Sequence, residues 1–285
     1  IFYRRSSIWN FKKKLQSKWG WFNKKKKITT KLDILDKNLY KKIPTSCESL
    51  IHLAAVSSTN DFKKNSLDSY KINLLGVINL VNAASIKKVK QIIFASSEWV
   101  YGEKKSGKIT NENEKIDVSK LSSEYALSKY LGEQLLIYYC NKYKINLTIL
   151  RFGIIYGPRK NNKNWSAVES ITSNLIKHGN VRVGSTKTAR RFIFLDDLCS
   201  SIKASIGKKG IHLFNVTGDK LISLKDIISK SNLVFKKIFK YEQISPLKFN
   251  IRNVGNSKIK KKLRWYPKVN LQNGIKKISK SIYKK

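Results

Sequence analysis

A tyrosine and a lysine four residues apart on a helix can work as an acid–base group with its tuning cation. This chain carries four such pairs: Tyr101/Lys105, Tyr125/Lys129, Tyr138/Lys142 and Tyr156/Lys160. Lysine is abundant enough here that spacing alone singles out none of them. The surroundings do. Ser97 ends the apolar run "QIIFASS" (91–97), and Tyr125 opens the helical segment that follows. In a parallel sheet the carboxyl end of a strand and the start of the next helix share one rim, so the two side chains meet there. Tyr101 and Tyr156 are expected in loops just after strands, and Tyr138 lies more than three turns further along the helix.

Strand and helix signals alternate along most of the chain. Strands are expected at 1–5, 28–34, 49–55, 91–97, 147–157, 191–195 and 212–216. Helices are expected at 69–88, 122–143, 165–178, 196–206, 223–230, 256–264 and 271–284. This order predicts βαβ units and an α/β, Rossmann-like, doubly wound parallel sheet over 1–160. A smaller, mainly substrate-binding lobe is expected over 161–285, interleaved with the last strands. Strands that run into small residues mark the binding edge of such a sheet. "HLAA" supplies Leu53, Ala54 and Ala55, and "FASS" supplies Ala95 and Ser96, where a ligand can approach the backbone closely.

The formal net charge of +41 raises a nucleic-acid reading, but only nine of the 59 basic residues are arginine and the lysines run from end to end. A solvated basic surface is the better account, and it would still attract anionic ligands. No segment is long and apolar enough for a membrane span. Cys47, Cys140 and Cys199 are odd in number, scattered and without metal spacing, which points to thiols in a reducing, cytoplasmic setting. The chain contains no methionine and opens on Ile1 in an apolar stretch. A preceding segment is therefore expected.

Seven stretches in order resemble the extended short-chain dehydrogenases/reductases, in particular the NAD-dependent epimerase/dehydratase group. They are "IHLAA" (51–55), "NLLGVINLVNAA" (73–84), "FASSEWVYG" (94–102), "YALSK" (125–129), "LRFGIIYGPR" (150–159), "RRFIFLDDL" (190–198) and "SKIKKKLRWYP" (257–267). The resemblance implies NAD or NADP as cofactor and a nucleotide-diphosphate sugar as substrate. It implies that Tyr125 exchanges a proton with a sugar hydroxyl, that Ser97 bonds the same oxygen, and that Lys129 lowers the tyrosine pKa and holds the nicotinamide ribose. It assigns Asp33 and Ile34 to adenine, Asn73 to bracing the cofactor side of the sheet, Phe152 to the nicotinamide and Arg190 to the substrate pyrophosphate. It also implies a homodimer through helices 69–88 and 122–143, with no metal.

Three departures qualify it. The glycine fingerprint G-x-G-x-x-G is missing, so the first strand and phosphate loop are expected ahead of Ile1. Glu98 is followed by Trp99 where dehydratases of the group carry an acid pair, which leaves Glu98 as a lone substrate contact and disfavours dehydration. Arg4 and Arg5 stand where NAD-specific members place an acid, and arginine there can accept the 2′-phosphate of NADP. The expected activity is sugar epimerisation through a 4-keto intermediate. The alternatives are an NADPH-dependent 4-keto-sugar reductase and a non-catalytic binding or scaffold homologue.

Overall fold

The computed structural model describes residues 32–57, 59–103, 107–158 and 166–282. Arg4, Arg5, the expected strand at 1–5 and most of that at 28–34 lie outside them. The chain divides into two compact units. The first takes 32–102, 115–151 and 202–214 of the described chain, and the second takes 103–114, 152–201 and 215–282.

The first unit is built on a parallel sheet of β1 (Leu50–His52), β2 (Gln91–Ser97), β3 (Asn146–Phe152) and β8 (Ile211–Val216), in the order β1-β2-β3-β8. Ile51 lies opposite Ile93 in the parallel β1–β2 pairing. β2 is buried at every position but Ala95, as a central strand covered on both faces must be. Gln91 pins its start. Its Oε1 accepts from Ser49 Oγ at 2.6 Å and Gly207 N at 2.9 Å, while its Nε2 donates to Thr148 Oγ1 and Ser205 O.

The helices of this unit include α1 (Thr59–Lys64), α2 (Ser66–Tyr70), α3 (Gly76–Ile86) and α4 (Glu124–Tyr143). The single helix expected at 69–88 is thus divided: between α2 and α3 the residues Lys71–Leu75 wind as a π-helix, a distortion frequent at functional sites. α4 starts at Glu124, not at 122, because Ser123 is extended and its hydroxyl accepts from Ala126 N at 3.2 Å. Leu80, Val81 and Ala84 of α3 join Leu136 and Cys140 of α4 over Ile92, Phe94, Leu147 and Ile149.

In the second unit β4 (Ile155–Tyr156) pairs with β7 (Ile193–Phe194), β5 (Asn180–Val183) with β10 (Lys240–Gln243), and β6 (Ala189–Arg190) lies between β9 (Ile222–Ser223) and β11 (Ile251–Arg252). The strand expected at 147–157 therefore breaks at Gly153–Ile154, and Tyr156 sits in a short strand where a loop was expected. The strand expected at 191–195 keeps two residues, because Leu195 already opens α6 (Leu195–Ser205). Helices α5 (Ala167–His178), α7 (Leu224–Phe235) and α9 (Leu271–Ile282) share a core with Tyr156, Phe192 and Phe194. The remaining helix, α8, is Ser257–Leu263.

Candidate active site

Ser97, Tyr125 and Lys129 come together at the carboxyl end of β2. Cap placement puts Tyr125 in the first turn of α4, and Lys129 follows one turn later on the same face. Tyr125 is partly exposed, and the Ser97 side chain lies beside its hydroxyl. Ser97 is extended and nearly buried. Its Oγ accepts from Trp99 N at 3.3 Å, capping the short turn that follows β2. Lys129 is 4% exposed, donates from Nζ to Ala95 O at 2.8 Å and lies 4.9 Å from the centroid of the Phe94 ring. Gly132 lets the helix come this close: a Cβ there would lie 3.2 Å from Phe94 Cζ.

The electrostatics follow from burial. Desolvation pushes Lys129 down to about 8, opposed by the carboxylate of Glu133. Desolvation raises the Tyr125 phenol above its ordinary value, and the neighbouring Ser97 side chain opposes this without overcoming it. In this arrangement burial is the larger influence on the phenol. The ammonium is directed at the Ala95 carbonyl, and burial decides the phenol.

Asn73, on the π-helical turn, braces the neighbouring strand end. Its Oδ1 accepts from Val56 N at 2.8 Å, and its Nδ2 donates to Val56 O at 3.0 Å and to Ser128 Oγ at 2.9 Å. Ser128 in turn donates to Tyr125 O. One amide therefore ties the segment after β1 to the first turn of α4.

The NAD dependent epimerase/dehydratase family model matches residues 6–216, well over half of the chain. The chain belongs to this family. A UDP-glucuronate 4-epimerase of Thermodesulfobacterium geofontis is 26% identical over 235 residues, covering 81% of this chain and 71% of that one. Among solved structures, a UDP-glucose 4-epimerase of Thermotoga maritima with UDP-glucose has a TM-score of 0.77 at 22% identity, covering 96% of this chain and 94% of its own. RMD from Pseudomonas aeruginosa complexed with NADPH reaches a TM-score of 0.81 at 18% identity, with 95% of each chain covered. These two likenesses bear on the fold.

The other residues named from the sequence differ in exposure and in partners. Leu53, Ala55 and Ala95 keep partial exposure, while Ala54 is buried and offers only backbone. Ser96 is 3% exposed and its hydroxyl bonds Glu133 in the interior. Glu98 is wholly buried, which removes its carboxylate from contact with a substrate as placed. Ile34 is 1% exposed: its side chain packs where a Cβ on Gly76 would reach 2.9 Å, and its carbonyl accepts from Asn79. Asp33 caps a turn by accepting from Leu35 N at 3.0 Å. In the second unit, Phe152 is partly exposed at the end of β3. Arg190 is engaged by Ala189 O, Asn250 O and Asn250 Oδ1, contacts that hold β6 to the segment before β11. That engagement is structural, and a pyrophosphate would have to compete with it.

The other tyrosine pairs have other uses. Tyr101 packs under the Arg151 guanidinium, Tyr156 is core, and Tyr138 is 63% exposed. Lys105 and Lys160 lie outside the described residues. Sequence reasoning missed Glu133 and Arg151, which form a buried pair with Nη2–Oε2 at 2.6 Å. Both carried a signal. Glu133 is four residues past Lys129, and Arg151 is a charge inside an apolar strand, which demands a partner.

Proposed function

We propose that this chain is an NAD(P)-dependent nucleotide-sugar epimerase that inverts C4 through a 4-keto intermediate. The observation that carries the reading is the meeting of Ser97, Tyr125 and Lys129 at the carboxyl end of β2, with Lys129 held to Ala95 O one turn after the tyrosine. Family membership and relatives named as UDP-sugar 4-epimerases support it.

The residues present fit the cofactor. A buried amine stands beside partly exposed small residues at the sheet rim. Lys129 would hold the nicotinamide ribose, Leu53, Ala54, Ala55 and Ala95 would line the approach, and Asn73 would keep that edge rigid. The nicotinamide, when bound, supplies a hydride acceptor and donor. Tyr125 gives or takes the proton at the sugar hydroxyl, Ser97 fixes the same oxygen, and Lys129 places positive charge beside both.

The proposal extends to a homodimer in which helices 69–88 and 122–143 meet a second copy. The exposed Leu75, Ile86 and Tyr138 on those helices support it. It also extends to a reducing, cytoplasmic setting, supported by the thiol state of Cys47 and Cys140. Among the described residues no helix is long and apolar enough to cross a membrane.

The test is incubation of the protein with NAD and a panel of UDP-hexoses and UDP-hexuronates, followed by NMR of the anomeric signals. Appearance of the C4 epimer supports the reading. Consumption of NADPH with a 4-keto sugar, without epimerisation, would establish a reductase instead.

A further inference from the structure

Three successive residues at the end of β2 each hold one side chain of α4. Ala95 O accepts from Lys129 Nζ at 2.8 Å, Ser96 Oγ bonds Glu133 Oε1, and the Ser97 side chain lies beside the Tyr125 hydroxyl. Two of these three contacts belong to the site already described. The middle one leads to a charge pair with no part in it so far. Glu133 is 1% exposed and is gripped on both oxygens by Arg151 of β3, with Nε–Oε1 at 3.0 Å and Nη2–Oε2 at 2.6 Å. The guanidinium carbon lies 4.8 Å from the Tyr101 ring centroid. Burying such a pair costs several kcal/mol of desolvation per ion, by an order-of-magnitude reckoning, so as a mere staple it could be replaced by apolar residues at little loss.

We propose that the Glu133–Arg151 pair is a positioning device for Lys129: the carboxylate keeps the lysine an ammonium aimed at the sheet rim, and Arg151 fixes where that negative charge sits. This rests on the reading of Lys129 as the cation that holds the cofactor ribose and faces the acid–base tyrosine.

The groups around Lys129 support the assignment. From its own helix come Tyr125, one turn before, and Glu133, one turn after. From β1 comes His52, buried, stacked on Phe94 at 5.6 Å, and pushed well below its ordinary pKa by burial and by the lysine's own charge. From β2 come the Ala95 carbonyl and the Phe94 ring. From β3 comes Arg151, beyond Glu133. Among these described neighbours Glu133 supplies the opposing negative charge. Burial depresses the ammonium, and Glu133 counters it. Without that carboxylate the lysine would share a dry interior with a second cation.

The experiment is an NMR titration of Lys129 in the protein without substrate. The ε-methylene carbon signal is assigned as the one missing from the Lys129→Met spectrum. In Glu133→Gln the titration midpoint should fall by about one pH unit, the order of effect of removing a nearby opposite charge. Glu133→Gln leaves Arg151 buried and unpartnered by a carboxylate, and it can fail to fold. The double variant Glu133→Gln/Arg151→Met removes both charges and should also lower the midpoint. A midpoint unchanged in a folded variant would overturn the proposal and leave the pair a structural staple. Because the readout needs no turnover, failure to epimerise any sugar would count against the proposed function and not against this coupling.

Discussion

Tyr125 and Lys129 have opposite problems in the same desolvated corner: burial keeps the phenol protonated and makes the ammonium easier to deprotonate. Tyr125→Phe removes the phenol oxygen proposed to pass the proton. It should lower kcat by about 10²–10⁴-fold with cofactor affinity nearly intact. Ser97→Ala should give an intermediate loss. Tyr138→Phe, with the same lysine spacing on an exposed helix face, should match the parent, and equal damage from it would move the site elsewhere. Lys129 gives a pH prediction. Its folded pKa of about 8 lies below the free value of 10.5, so between these limits the unfolded chain binds more protons and stability rises with pH through this group. Lys129→Met should therefore be more stable than the parent at pH 7, by up to about 3 kcal/mol. That advantage should shrink as pH rises through 8 towards 10.5, while ribose binding is lost. Urea midpoints of both proteins at pH 7, 8.5 and 10 would check the trend.

At the scale of elements, close approach of backbones sets the geometry. Asn73 on the π-helical turn makes three hydrogen bonds that no apolar residue replaces. Asn73→Ala should cost about 1–3 kcal/mol by stranding the Val56 backbone groups, and should raise the KM for cofactor more than it lowers kcat. In the second unit a Cβ on Gly218 would lie 2.2 Å from Phe192 O, against backbone that cannot rotate away. Gly218→Ala should destabilise by about 1–3 kcal/mol or more, read as a lower denaturation midpoint. A Cβ on Gly274 would lie 2.5 Å from the Tyr156 ring, with Phe192 and Phe194 edge-on behind it, so alanine there should act in the same direction.

At the scale of the whole molecule the net charge of +41 dominates. Like charges repel within each compact unit, and salt screens them over about 10 Å at 0.1 M. Melting temperature should rise as sodium chloride goes from about 20 to 300 mM, a range over which screening lengths fall well below the span of a domain. If the basic surface also gathers the anionic nucleotide sugar, kcat/KM should fall over the same range while kcat holds. A salt-independent kcat/KM would show that the lysines are solvent-facing ballast. The rather local ion pairs on the surface, such as Lys120–Asp117 at 2.7 Å, do not alter this balance.

Some of this was written in short-range pattern. The run "QIIFASS" is apolar on both faces and ends in small residues, so it declares a central strand and a binding rim. Ser123 followed by the helical "EYALSKYLGEQLL" declares where α4 starts, and so which turn carries Tyr125 and Lys129. Periodicity and capping act within a few residues, which is why β2, α4 and the placement of Tyr125 and Lys129 on it were legible from the chain alone. Whatever depended on distant partners was not. The two-residue strands β6, β9 and β11 exist only because they pair with one another, and no local signal marks them. Ile34 and Glu98 read as ligand contacts by position, yet packing buries both. Arg190 reads as a free fork but is engaged by Asn250. Glu133 and Arg151 are 18 residues apart and meet because α4 lies on β3. The sequence determined which residues can do the chemistry. The tertiary structure decided the direction of their pKa shifts, because desolvation and opposing charge belong to surroundings that the chain brings together only by folding.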